Sequence, residues 1–264
     1  MSAQRWDDLA LRLGSASALA VVALGAMWIG GDIFHVFVAI ICGFLLWETA
    51  VMLAPTARRR EALTLGGIGA GALLLVYVLP TGLVLPLLFL PAFAGLGLLD
   101  RRRRVFFPFA VGIMLACWGI ADLRDDFGFG WMLWLALVVM VTDVFGYFAG
   151  RTFGGPKFWP RVSPKKTWSG TVAGWVAAAL VGLAWVLAGE AGVGLTGVSV
   201  AVSMASQMGD IAESAMKRRV GVKDSSNLLP GHGGVFDRFD GMLGASVFLL
   251  LAAQVVDFPP PPLL

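Results

Sequence analysis

The chain has 264 residues, of which 58% are hydrophobic and only 14% charged, whereas about 25% charged residues is usual for a soluble domain. With a mean hydropathy of +0.81 and 34 glycines, this composition excludes an ordinary soluble domain and makes lipid the expected solvent. The net charge of +3 is small, and the two cysteines, Cys42 and Cys117, lie in apolar runs without metal-ligand spacing, so they read as small core residues.

The N-terminus mixes Arg5 and Arg12 with Asp7 and Asp8 and shows no small-residue cleavage site, so the first apolar run is expected to be retained as a helix. Crossing a bilayer takes about 20 mostly apolar residues. Nine runs qualify: 14–31, 33–54, 62–80, 82–99, 105–121, 128–149, 170–189, 192–209 and 241–257. Period-2 alternation is absent, which argues for helices over a β-barrel. The expected fold class is therefore all-α, a polytopic integral membrane protein of about nine transmembrane helices. The fourth run holds Pro86 and Pro91 and should kink or tilt. The eighth holds four Ser and Thr residues and is a candidate for partial burial in protein. Glu48 in the second run reads as structural. Asp32 and His35 lie near one end and read as solvated or locally hydrogen-bonded.

The connections alternate in charge. Nineteen of the 20 Lys and Arg residues fall on one side: Arg5, Arg12, Arg58–Arg60, Arg101–Arg104 and the loops 150–169 and 210–240. The other side carries Gly30-Gly31, Pro80-Thr81-Gly82, the segment Asp122–Asp126 with Arg124, and Gly189–Gly192. Positive charge marks the cytoplasmic side, which gives N-in and C-out, with Pro259–Pro262 as a short extended outer tail. The unusual chemistry is concentrated late in the chain. Residues 1–127 read as an N-terminal transmembrane scaffold of about five helices, and 128–264 as a C-terminal catalytic part.

The loop 150–169, GRTFGGPKFWPRVSPKKTWS, contains Arg151, Lys157, Arg161, Lys165 and Lys166 and no acid. It is either a topology signal or a phosphate site. Gly150, Gly154, Gly155, Pro156, Pro160 and Pro164 shape it, and Ser163, Thr167 and Ser169 add hydroxyl donors, which favours a phosphate-rich ligand. Asp143 precedes the loop at a depth where a carboxylate is costly. It needs either a structural pair with a loop lysine or a functional role. Further on, Gly170 and Gly174 form a G-x-x-x-G that allows close helix packing within a chain or in a homodimer.

The loop 210–240 carries five bases and five acids, Asp210, Glu213, Asp224, Asp237 and Asp240. If the eighth helix continues past Asp210, then Asp210, Ser214 and Lys217 share a face. Asp237 and Asp240 share a face at the start of the ninth helix. Gly221, Pro230, Gly231, Gly233 and Gly234 let the chain turn back. Asp210, Asp237 and Asp240 are then able to converge as oxygen ligands for Mg²⁺, with Lys and Arg holding the remaining phosphate charge. Surface salt bridges at helix ends are the plain alternative. His232 either donates to phosphate or completes a turn.

The residues Ser214-x-x-Lys217-Arg218, Lys223-Asp224 and His232-Gly233-Gly234-x-x-Asp237-Arg238-x-Asp240 resemble the signature of the phosphatidate cytidylyltransferases, the CDP-diacylglycerol synthases. The likeness extends to Gln207-x-Gly209-Asp210 and to Ser163-Pro164-x-Lys166-Thr167-x-x-Gly170, with Asp143 before it. It covers the C-terminal half well, and the N-terminal spans only as hydrophobic helices. One departure is Ser169, where the family commonly has Glu. The resemblance implies transfer of a cytidylyl group from CTP to phosphatidic acid with Mg²⁺ and a second cation such as K⁺. It assigns the metal to Asp210, Asp237 and Asp240 and phosphate contacts to Lys217, Arg218, Lys223 and Arg238. Ser163, Lys166 and Thr167 are to touch nucleotide or lipid phosphate, with Asp143, Ser214, Asp224 and His232 in the same substrate site. A lipid phosphate is already largely ionised at neutral pH (its second pKa is about 6), so no general base is assigned.

Two rivals remain at this level. A CTP-dependent polyprenol kinase would transfer the γ-phosphate and release CDP. An anion transporter would place ionisable groups near the bilayer midplane, whereas here they cluster at one face. Expected partners are CTP, phosphatidic acid and membrane lipids, without nucleic acid, at the cytoplasmic face of a bacterial inner membrane.

Overall fold

The computed structural model describes residues 17–54, 59–229 and 233–260. Arg5, Arg12, Arg58, His232 and Pro261 to Pro262 lie outside them. Among the described residues the regular structure is helical apart from one small hairpin, a short 3-10 turn at Thr81–Leu83 and an isolated bridge between Leu229 and Gly233. The helices are α1 (Ser17–Ile29), α2 (Gly31–Leu53), α3 (Arg59–Val76), α4 (Val84–Leu98), α5 (Arg103–Phe153), α6 (Trp168–Leu187), α7 (Gly194–Val220) and α8 (Phe236–Ala252). Each apolar run of the sequence overlaps one of them. Among the described residues four segments are long and apolar enough to cross a membrane: Gly31–Leu53, Thr81–Leu98, Arg103–Phe153 and Trp168–Leu187.

The runs 105–121 and 128–149 both fall in α5, and Asp122–Asp126, expected as a loop, is helical. The break comes at Gly128, with φ 83° and ψ −174°, a conformation open to Gly because it lacks Cβ. The chain divides into two compact units. The first is Met1–Phe129 with Arg219–Phe239, and the second is Gly130–Arg218 with Asp240–Leu264. The loop 210–240 is thus split, its middle grouping with the N-terminal helices.

In the first unit α2 packs on α3 and α3 on α4. Small residues set the approach: a Cβ on Gly66 would meet the Gly43 carbonyl at 2.6 Å, as expected where transmembrane helices pack through glycine. Leu45, Leu46, Leu65, Leu73, Leu88 and Phe106 fill the core, and Cys42 and Cys117 are buried as expected. Arg124, the lone base of the connections expected on the outer side, has a local role. Its guanidinium donates to the carbonyls of Met27 (2.6 Å) and Trp28 (3.2 Å), at the end of α1, where the carbonyl end of a helix favours a cation. His35 pairs with Asp125 at 2.6 Å and stacks on Tyr77 with ring centres 3.9 Å apart.

In the second unit a polar seam runs through an apolar interior. Trp134 donates to Ser199 (3.1 Å), Thr142 and Ser203 hydroxyls lie 2.7 Å apart, and Trp175 donates to Gln207 (3.0 Å). Ser199, Ser203 and Ser206 are buried, which is the protein burial expected of the eighth run. Ser199 and Ser203 are satisfied helix to helix, which is how such groups persist without water. Gly170 packs against Gly146 and Gly150, and Gly174 against Thr142 and Gln207. Both glycines of the G-x-x-x-G therefore serve packing within the chain.

Candidate active site

The basic loop is a built structure. Lys157–Trp159 (β1) pairs antiparallel with Ser163–Thr167 (β2), Lys157 opposite Thr167 and Trp159 opposite Ser163. Gly154 and Gly155, at φ 61° and 98°, turn the chain out of α5 into β1. Thr167 caps α6 by accepting from the Gly170 amide at 3.3 Å, the usual role of a hydroxyl at this position. Ser169 donates to the Gly154 carbonyl at 2.5 Å and lies 3.0 Å from the Thr167 hydroxyl. The Ser169 hydroxyl thus ties the turn out of α5 to the start of α6.

The hairpin, α5, α6 and α7 line an open cavity of about 530 Å³. Arg151, Lys157, Lys165 and Lys166 give it positive charge, and Asp143 and Asp210 supply acid at its wall. Lys166, Thr167, Asp143 and Asp210, expected in one site, line this one cavity. Ser163 stands on β2, at the strand end opposite Thr167.

Asp210 joins the cavity to an acidic group. Its Oδ2 pairs with Lys166 Nζ at 2.5 Å, and its Oδ1 accepts from Ser214 at 3.1 Å. The continuation of α7 to Val220 supplies the helical spacing. Asp210, Glu213 and Asp240 each offer an oxygen within 4.8 Å of the others. Glu213 is 1% exposed and pairs with Lys217 at 2.5 Å, one turn along. Asp240 is buried beside Asp210, and its carboxyl shows the cost. Burial, with the charges of Asp210 and Asp143, pushes its carboxyl up to about 7, against the lowering effect of the Gly241 amide and Lys217. A divalent cation relieves such a group, and an all-oxygen donor set with one turn of helix between ligands suits Mg²⁺. The residues present therefore fit the ion.

Asp237, in the first turn of α8, holds the segment that precedes the helix. Its Oδ2 accepts from the Ser225 amide (2.8 Å), the Ser225 hydroxyl (2.9 Å) and the Gly234 amide (2.8 Å). The gathered acids are thus Asp210, Asp240 and Glu213, the last singled out for no role by the sequence. Its spacing from Asp210, i and i+3, was the available signal. Lys223, Asp224 and Arg238 are exposed on the segment counted with the first unit, and Arg218 is exposed at the end of α7.

Residues 10–256 match the cytidylyltransferase family. A phosphatidate cytidylyltransferase of Brucella suis biovar 1 (strain 1330) is 36% identical over 263 residues, covering 97% of this chain and 97% of that protein. Proteins of the same name from Bacillus subtilis (strain 168) and Haemophilus influenzae are 38% identical over 128 residues and 40% over 124. These cover 47% and 44% of this chain, and 48% and 43% of those proteins. With a match over nearly its whole length and a relative aligned end to end, the chain belongs to the cytidylyltransferase family.

Proposed function

We propose that the protein transfers the cytidylyl group of CTP to phosphatidic acid, forming CDP-diacylglycerol and pyrophosphate. The observation that carries this reading is the Lys166–Asp210 pair, which sets a basic cavity beside a three-carboxylate group within one unit. A phosphate oxygen of the lipid attacks the α-phosphorus of CTP. The bond from that phosphorus to the oxygen bridging to the β-phosphate breaks, and its electrons leave with pyrophosphate. Two polyanions must meet, so fixed cations are needed more than a base. Lys166, with Arg151, Lys157 and Lys165, holds phosphate in the cavity. Asp210, Glu213 and Asp240 hold Mg²⁺, which when bound neutralises charge on the phosphates and the leaving group. Lys217 orients Glu213 and offsets the acidic charge. The resemblance of the signature keeps Asp237 as a further ligand candidate and Lys223 and Arg238 as phosphate contacts.

The nine-helix arrangement, N-in and C-out in a bacterial inner membrane with the active site facing the cytoplasm, is part of the same proposal. The one-sided distribution of Lys and Arg supports it. Single cysteines at Arg161 and Glu190, in a background with Ser at positions 42 and 117, should label from opposite sides of sealed vesicles. Labelling from the same side refutes the arrangement.

Product identity tests the chemistry. Purified protein in mixed micelles receives phosphatidic acid, Mg²⁺ and CTP labelled at the α-phosphate. Label is expected in lipid, with release of pyrophosphate, and Asp210→Asn should abolish both. Label remaining in CDP would mark a lipid kinase instead.

A further inference from the structure

We propose that Glu48, far from the signature in sequence, is the positioning residue for the signature segment that carries Asp237 and Arg238. This rests on the cytidylyl-transfer reading. Glu48 is 0% exposed, yet its carboxylate receives four hydrogen bonds, all from one segment. Oε1 accepts from the Ser226 hydroxyl (2.6 Å) and the Val235 amide (2.9 Å). Oε2 accepts from the Phe236 amide (2.7 Å) and the Ser225 hydroxyl (3.1 Å). Val235 and Phe236 open α8, so the buried charge lies where the exposed amides of a helix N-terminus favour an anion. Four donors meet four lone-pair directions, which makes a buried carboxylate tolerable and fixes the segment on α2 in one register.

The link to Asp237 is direct. The Ser225 hydroxyl lies 3.1 Å from Glu48 and 2.9 Å from Asp237. It has one hydrogen and donates to one carboxylate at a time. Asp237 Oδ2 keeps two backbone amides when the hydroxyl turns to Glu48. The second of the paired glycines of the signature answers to the same contacts, and the first to Asp237. A Cβ on Gly234 would stand 2.5 Å from Glu48 Oε1 and closer still to the Ser225 hydroxyl. Gly233 has φ +80°, and a Cβ there would lie 2.7 Å from Asp237 Oδ2. Glu48, outside the signature, therefore joins Ser225 in leaving no room for a side chain at Gly234.

Glu48→Gln tests this at constant side-chain volume. Its amide nitrogen would face two of the four donors, so half the network fails while the core stays filled. We expect intact, monodisperse protein with kcat lowered about 100-fold, the scale of a small misplacement of reacting groups. KM for phosphatidic acid should change little, and Glu48→Asp, which keeps the charge, should recover part of kcat. Hydrogen exchange should rise at the Val235 and Phe236 amides of Glu48→Gln. A kcat near wild type in Glu48→Gln overturns the proposal, as does unchanged exchange at those amides. If Glu48→Gln does not fold, Ser225→Ala replaces it, and wild-type kcat in that variant overturns the proposal equally. A wild-type protein that makes no CDP-diacylglycerol sinks the cytidylyl-transfer reading instead, and the exchange measurement then decides the role of Glu48 alone.

Discussion

Removing a carboxylate from a folded protein usually costs stability, but Asp240→Asn should do the reverse when no divalent cation is present. Asp240 stands just before the apolar run 241–257. Burial and the nearby Asp210 and Asp143 raise its carboxyl from the ordinary 3.8 to about 7. That rise corresponds to about 4 kcal/mol of native-state stability lost once the group is ionised. Charges within 4.8 Å of one another repel at an effective dielectric near 20 by roughly 3.5 kcal/mol or more, which is the same order. At pH 8 in chelator, Asp240→Asn is therefore expected to raise the Tm, by about 2–4 °C for each kcal/mol recovered in a chain of this size. Saturating Mg²⁺ should stabilise the wild type by about 2.7 kcal/mol at 100 times its Kd, and the variant much less. Thermal unfolding in detergent, with and without Mg²⁺, measures both. A lower Tm for the variant in chelator, or an equal gain from Mg²⁺ in both proteins, refutes the reasoning.

The same carboxyl sets a pH dependence. In the unfolded chain it loses its proton near pH 4, and in the native protein only near pH 7. Between those values the native state binds more protons, so the cation-free protein loses stability as pH rises across that window and levels off above it. Asp240→Asn removes that slope. Protons and Mg²⁺ compete for Asp240, so apparent Mg²⁺ affinity should weaken as pH falls below about 7.

Three further outcomes are expected. Lys166→Met deletes the partner of Asp210 and one cavity cation, and should lower kcat/KM about 100-fold with little change in Tm. Gly244→Ala would press a Cβ onto the Ala205 carbonyl and the Gly209 backbone, where α7 and α8 touch, and should cost about 1–3 kcal/mol by thermal unfolding. Ser169→Glu replaces a hydroxyl that donates to the Gly154 carbonyl with a group that cannot donate. It should lower stability by about 1–3 kcal/mol, whereas Ser169→Thr keeps the bond and should stay near wild type.

The helices were legible because lipid demands long apolar runs, and the cavity residues because lysines and hydroxyls recur between turn formers. What the sequence hid depended on backbone detail. Asp122–Asp126 looks like a polar loop, yet it stays helical until Gly128 breaks the path. The hairpin 157–167 has only two short strands, too few residues for a period-2 pattern to stand out. The split of the 210–240 loop between units was equally invisible, since contacts with distant residues such as Glu48 leave no mark in composition.

Two glutamates show where the limit lies. Glu213 was within reach of spacing: three residues after Asp210 and four before Lys217, it had to share their side of α7. A rule that follows i+3 as well as i+4 would have placed it beside Asp210. Glu48 offered no such signal, because its partners are 177 to 188 residues away. An acid in an apolar run says only that something must neutralise or hydrogen-bond it. What does so here is a helix N-terminus and two serines, delivered by a segment whose own glycines leave room for the carboxylate. The glycines were visible from the start as turn formers. They gain their specific meaning only when the distant charge is set against them, so the signature and Glu48 must be read as one device.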